Sequence, residues 1–306
     1  MTLKFGIYAG GLGADPDGGI TPGPPEDAGR TSELLDELSP ALVRGYVHYS
    51  DALGAHMEAA PAPWQHAVRG RRLDLVACFR EPGDDLSGWL DHLRSLLRTH
   101  GECLATLQVG EEANHDGPGG DGGFPAVRRA IVEGVLAARA EADRLGLDVR
   151  IGCNSTPIFD QEQEFWASLR EIGPVIDYAG LDFFPGVFRP VTDFPVAVEG
   201  VLRTFRERCL AAAGVPASTP IHVTENGWAT GDGRTYERQA EVVGQVVRAV
   251  AANAAELNVT AYEHFALRDA DSGNDNPMSQ FGLVRSDYTP KPAFGVFRDL
   301  VAQLQR

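Results

Sequence analysis

Apolar and polar positions along this chain fall into two alternating kinds of segment. Short apolar runs, most of them closing on Gly, Asn, Asp or Glu, are followed by longer amphipathic stretches in which apolar residues recur. The runs lie at 3–8, 41–49, 73–79, 104–111, 148–153, 177–183, 220–225 and 259–265, and their length and composition predict strands. Helical spacing predicts helices over 32–38, 86–99, 125–145, 163–172, 196–213, 236–257 and 292–304. Strand–helix repeats of ~38 residues predict an α/β fold, one (β/α)8 TIM barrel spanning 1–306 with no second domain. A doubly wound sheet of six strands would leave two runs unused. Gly10-Gly11-Leu12-Gly13 also lacks the spacing of a dinucleotide-binding loop.

The connections are lopsided. Segments that lead into strands are tight, as at Leu145-Gly146-Leu147-Asp148. Segments that leave strands are long and rich in Gly, Pro and Asp, at 9–31, 115–124, 154–162, 184–195, 226–235 and 268–280. In an α/β barrel the strand-to-helix loops build the ligand face, so chemistry is expected at that end.

Composition narrows the partners. With 43% hydrophobic and 23% charged residues the chain fits a globular protein with a large core. Its 27 basic and 43 acidic residues give a net charge of -16, a field that repels polyanions and excludes nucleic acid as a natural partner. No uninterrupted apolar stretch reaches the ~18 residues of a membrane span. Cys78, Cys103, Cys153 and Cys209 match no metal-knuckle or redox spacing, and Cys78 and Cys153 sit in strand-like runs. Buried free thiols suit a reducing compartment, and Leu3-Lys4-Phe5-Gly6-Ile7-Tyr8 is strand-like rather than secretory, so a cytoplasmic setting is expected.

Candidate chemistry sits at strand ends. Strand four reads Leu107-Gln108-Val109-Gly110-Glu111-Glu112-Ala113-Asn114, and strand seven reads Pro220-Ile221-His222-Val223-Thr224-Glu225-Asn226-Gly227-Trp228. An apolar strand that closes on a carboxylate must aim that charge out of the core, since burying it unpaired is prohibitive. Two such carboxylates from opposite sides of a barrel mouth can flank one acetal bond, one as general acid and the other as nucleophile.

These segments resemble the clan A retaining glycoside hydrolases. Gly110-Glu111-Glu112-Ala113-Asn114 resembles the strand-four G-N-E-P-N motif, and Val223-Thr224-Glu225-Asn226-Gly227-Trp228 resembles the strand-seven T-E-N-G motif. Val43-Arg44-Gly45 is similar to the strand-two segment with its arginine. Phe281-Gly282-Leu283-Val284, with Asp287 and Thr289-Pro290-Lys291-Pro292-Ala293-Phe294, is similar to the segment after strand eight. The resemblance implies a carbohydrate substrate and no cofactor or metal, with Glu112 as acid/base, Glu225 as nucleophile and Arg44 bonded to the Glu225 carboxylate. It extends to Glu111, Asn114, Asp182, Trp228, Tyr262, His264 and Arg268 as substrate ligands.

The departures are specific. Glu111 stands where the family has an asparagine near the sugar 2-position; a carboxylate there either meets a hydroxyl or amino group or turns away, and it leaves Glu111 open as the acid in place of Glu112. The strand-six tyrosine beside the nucleophile is replaced in Gly180-Leu181-Asp182-Phe183-Phe184-Pro185. At the end of strand eight, where the family places a tryptophan under the sugar, this chain has Tyr262-Glu263-His264-Phe265, with His264 or Trp228 available as the platform.

Two rivals belong to other classes. A metal-dependent barrel would ring a cation with Glu112, Asp182 and Glu225. However, the eight histidines contain no H-x-H pair, and neither lysine, Lys4 or Lys291, lies at a strand end as Schiff-base or enolase-like chemistry requires. A catalytically inactive carbohydrate-binding barrel is the other rival, raised by the departures at 111 and 184.

Overall fold

The computed structural model describes residues 3–11, 13–14, 20–21, 23–49, 63–117, 119–157, 162–231 and 233–305. Eight parallel strands close on themselves in chain order: β1 (Lys4–Tyr8), β2 (Leu42–Tyr49), β3 (Arg72–Phe79), β4 (Leu104–Val109), β5 (Arg150–Ser155), β6 (Tyr178–Asp182), β7 (Ile221–Asn226) and β8 (Val259–His264). The seam is β1 against β8, with Phe5 opposite Tyr262 and Ile7 opposite His264. The outer faces of the strands pack against the surrounding elements and the inner faces meet across the barrel, so both faces of the sheet are buried. The fold is a single (β/α)8 barrel.

The described residues hold seven α-helices: α1 (Ala28–Leu38), α2 (Ser87–His100), α3 (Val127–Leu145), α4 (Glu162–Ser168), α5 (Phe194–Thr204), α6 (Tyr236–Leu257) and α7 (Pro292–Leu304). Helix α5 runs on into a π-helical turn, Phe205–Leu210. Between β2 and β3 the described residues hold only a 3-10 turn, Pro63–His66. Helix α1 starts earlier than its apolar periodicity suggests because Asp27 caps it, accepting from the backbone of Gly29 and Arg30. Helix α4 ends short of the predicted residue 172, giving way to turns. Strand β4 stops at Val109 because Gly110, at φ +84°, leaves the extended region. Parts of the predicted loops 9–31, 115–124, 154–162 and 226–235 lie outside the described residues.

The main core lies between the barrel and its helices. Leu73, Leu75, Ala77 and Phe79 face out of β3, and α2 buries Trp89, Leu93, Leu96 and Leu97. Full burial of one such side chain contributes ~1.5–3 kcal/mol. The Trp89 indole also donates to the carbonyl of Ala130, tying α2 to α3. Beyond β8, the buried Lys291 ammonium donates to Asp269, Thr230 and the Gln280 carbonyl, fastening the loops after β7 and β8 to the start of α7. Cys78, Cys153 and Cys209 are buried free thiols and Cys103 is partly exposed, and no helix among the described residues is long and apolar enough to cross a membrane.

The barrel interior is polar. Arg44, Asp74, Thr106, Gln108 and Glu263 are all buried within it. Gly6 makes room for one of them: a Cβ there would come within 2.6 Å of the Glu263 carboxylate. This polar plug, at the level just below the strand C-termini, is the floor on which the site is built.

Candidate active site

Because all the strands are parallel, their C-terminal ends share one rim. Strand alternation sends Arg44 and Tyr46 of β2, Asp74 of β3, Gln108 of β4, Asn154 of β5 and Asp182 of β6 inward. Arg44 is the hub. Its Nη1 donates to Asp74 Oδ2 at 2.6 Å, its Nη2 to Gln108 Oε1 at 3.1 Å and Glu111 Oε2 at 3.4 Å, and its Nε to the Tyr46 hydroxyl at 2.8 Å. The same Nε lies 3.4 Å from Glu225 Oε1, to which the Tyr46 hydroxyl donates. The expected Arg44–Glu225 contact is therefore present, shared with Asp74, Glu111 and Tyr46.

Glu111 turns into the barrel. It is 6% exposed, and Gln108 Nε2 donates to its Oε2 at 2.7 Å. Glu111, Asp182 and Glu225 each bring a carboxylate oxygen to within 4.8 Å of the others, the one grouping of metal-ligating side chains found among the described residues. It replaces the Glu112–Asp182–Glu225 ring considered for a cation. Both Asp182 oxygens already accept, from Asn154 and from Thr224, and Arg44 supplies positive charge beside the other two. The donor set is thus built to hold carboxylates by hydrogen bonds.

Glu112 takes a different position. Its backbone, at φ +39°, is pinned by an N–H bond to Asn154 Oδ1 of 2.8 Å, and its side chain is partly exposed. The turn that presents both glutamates is anchored by Asp121, which accepts from the backbone N–H of Glu111 at 2.7 Å and of Phe79 at 2.8 Å and pairs with Arg80 at 3.2 Å. Asp121→Ala should destabilise the protein by about 2–4 kcal/mol, since it leaves the buried amides of Phe79 and Glu111 without their acceptor and removes the carboxylate paired with Arg80. Urea unfolding measures this, and a change under about 1 kcal/mol would show that the turn holds without it.

Crowding sets the electrostatics. Burial first, then the charges of Glu225 and Asp182, push the Glu111 carboxyl well above the usual range. Asp182 is raised by burial and by Glu225, and Glu112 by burial and then by Glu111 and Glu225. Burial likewise raises Glu263. Asp74 goes the other way: burial opposes its charge, but the Arg44 guanidinium and the hydrogen bond from the Thr106 hydroxyl help hold it below its ordinary value. Asp121 is pushed up to about 6 by burial, against the pull of Arg80 and its two backbone donors.

Other residues expected as ligands are placed elsewhere. Asn114 is used up in a clasp with Thr156, giving its Nδ2 proton to that carbonyl and accepting from that amide. Tyr262 is fully buried and donates to Asn226 Oδ1, buttressing the residue after Glu225. His264 points out of the barrel against Phe297, ring centroids 5.1 Å apart, and burial pushes it down to about 3. Alternation on β8 explains this: Glu263 faces inward, His264 outward, and Phe265 returns to the mouth, stacked on Tyr8 at 5.1 Å. Trp228 is 7% exposed in the core beneath Arg234. Arg268 donates to the carbonyls of Pro24, Pro25 and Ser286, joining the loops after β1 and β8. Of the aromatics considered as a platform, His264 packs against Phe297 and Trp228 belongs to the core, while Tyr8 meets Tyr46, the donor to Glu225, and Phe265 stacks on Tyr8.

Tyr46, Asp74, Gln108, Asn154 and Asp121 complete the site without having been singled out from the sequence. The signal was present for two of them: Tyr46 follows Arg44 at the strand period of two, and Asp74 is a lone charge in an apolar run that demands a buried partner.

No protein-family model matches the sequence, and no curated protein matches it. Solved structures share its fold. It is similar to a family 39 glycoside hydrolase from Bacteroides cellulosilyticus WH2 (TM-score 0.67, 13% identity, covering 100% of this chain and 64% of that one). A glucosidase from Croceicoccus marinus gives a TM-score of 0.69 at 13% identity over 99% of this chain and 70% of that one. A β-glucosidase from Exiguobacterium marinum gives 0.63 at 14% identity, covering 99% of both chains. The likeness is one of fold: these proteins share the barrel architecture of this chain.

Proposed function

We propose that this protein is a retaining glycoside hydrolase in which Glu225 is the nucleophile and Glu112 the general acid/base. The observation that carries the reading is the unequal treatment of the two carboxyls at one mouth. Glu225 is gripped by Tyr46 and Arg44, donors that suit an anion, whereas Glu112 is pushed toward its protonated form by burial and by neighbouring negative charge. That division is what double displacement requires. The fold shared with proteins named as glycosidases supports it, as do the strand-four and strand-seven motifs.

In the first step Glu225 attacks the anomeric carbon while Glu112 gives its proton to the departing glycosidic oxygen. In the second, Glu112 takes a proton from water, the water oxygen bonds to the anomeric carbon, and the ester electron pair returns to Glu225. The substrate is a glycoside or oligosaccharide, and a panel of nitrophenyl glycosides selects the sugar. The free thiols fit a reducing, cytoplasmic setting.

Proton NMR of the first-formed sugar tests the mechanism. Retained configuration is expected, and inverted product would overturn it. A carboxyl separation of roughly 5–5.5 Å accompanies retention, against about 6.5–9.5 Å for inversion.

A further inference from the structure

Tyr46 lies two residues beyond Arg44 on β2 and is 6% exposed. Its ring is fixed on two sides, edge-on to Tyr8 at 5.1 Å and beneath the Arg44 guanidinium at 5.2 Å. Its hydroxyl accepts from Arg44 Nε and donates to Glu225 Oε1, the same oxygen that faces the Arg44 guanidinium. Segment 180–185 of strand six carries no tyrosine, and the hydroxyl arrives instead from the opposite side of the barrel.

We infer that Tyr46 is a positioning residue for the nucleophile: it fixes Glu225 Oε1, leaves Oε2 to attack, and assists the return of the carboxylate when the glycosyl-enzyme breaks down. This rests on the glycosidase reading. A hydrogen bond to a carboxylate is roughly twice as strong as one to a neutral acceptor. In the glycosyl-enzyme the Glu225 carboxyl is an ester, so the bond from Tyr46 is weak there. As water attacks and the bond between the anomeric carbon and Oε2 breaks, its electron pair goes back to the carboxyl and the bond strengthens. Tyr46 thus stabilises the transition state of the second step more than the intermediate that precedes it.

Tyr46→Phe keeps the ring packing and removes only the hydroxyl. With an aryl glycoside whose leaving group departs readily, kcat should fall about 10- to 100-fold, the loss of one charge-assisted bond. KM should fall with it, so that kcat/KM changes far less, because the intermediate accumulates. Acid-quenched intact mass spectrometry should then show the chain carrying one glycosyl group. A fall in kcat at unchanged KM with no such adduct would overturn the inference.

A second measurement does not depend on turnover. The Tyr46 hydroxyl proton, buried against a carboxylate, should give a slowly exchanging downfield proton resonance that Tyr46→Phe removes and Glu225→Gln moves. A spectrum unaffected by Glu225→Gln would refute the contact itself. If the resonance behaves as expected but the wild-type protein cleaves no glycoside, the glycosidase reading fails and takes the inference with it. If glycosides are cleaved and Tyr46→Phe leaves KM unchanged, the inference alone fails.

Discussion

Glu225→Ala should lower kcat on every glycoside by about 10⁴-fold or more, the scale on which removal of a nucleophile acts in a covalent mechanism. The loss should fall on turnover rather than on folding. Thr224 still donates to Asp182, Asn226 still donates to the Phe183 carbonyl, and Tyr262 still holds Asn226, so the end of β7 keeps its shape. Truncation opens space where the carboxylate stood, beside Arg44 and Tyr46. A small anion such as azide can enter it and attack the anomeric carbon directly. Restored turnover yielding a glycosyl azide of inverted configuration, read by proton NMR, is the expected signature. Activity within ten-fold of wild type would remove Glu225 from the nucleophile's role.

Glu112→Ala should divide substrates by leaving group. A glycoside whose leaving group is a poor one needs its oxygen protonated, and general acid catalysis contributes about 10²–10⁴-fold to such a step. A good leaving group departs unaided, so the first step on an activated aryl glycoside should be nearly unaffected. The pH profile should change as well. Burial and the Glu111 and Glu225 charges keep the Glu112 proton bound to higher pH, so wild-type activity is lost as pH rises through that raised value. The variant should lack this alkaline limb on good substrates. Should Glu111→Ala give the leaving-group pattern and Glu112→Ala be nearly silent, the acid is Glu111. The geometry argues against that outcome: Gln108 Nε2 and Arg44 already occupy Glu111 Oε2 in the buried network, whereas Glu112 is the less buried of the two residues.

Much of the barrel could be read from the chain because one pattern, an apolar run followed by an amphipathic stretch, repeats around it. The strand positions follow directly, since a buried run of Val, Ile and Leu bounded by Gly or Asp has few alternatives. Helix ends were less legible because they depend on single residues: the Asp27 cap extends α1 toward its N-terminus beyond its apolar periodicity. The motif positions of the site were legible as spacing on strands four and seven. Which neighbours they would meet was not, because contacts across a barrel join residues far apart in sequence, as Arg44 meets Asp74 and Gln108. The strand-eight platform was misjudged for a local reason. His264 is one residue out of phase with the inward face, and a shift of one residue along a strand exchanges barrel interior for helix-packed exterior.

Lysine usage has a practical consequence. Of the two lysines in the chain, Lys291 is sealed in its network at 2% exposure, while Lys4 is exposed at the N-terminal end of β1. Parallel strands put that end on the face opposite the mouth where the carboxylates gather. Of its lysine side chains, amine-reactive dyes, resins or electrode coatings would therefore couple to Lys4 and not to Lys291, with an α-amino group as the other reactive amine. Attachment through Lys4 would leave the rim where the carboxylates gather turned away from the support.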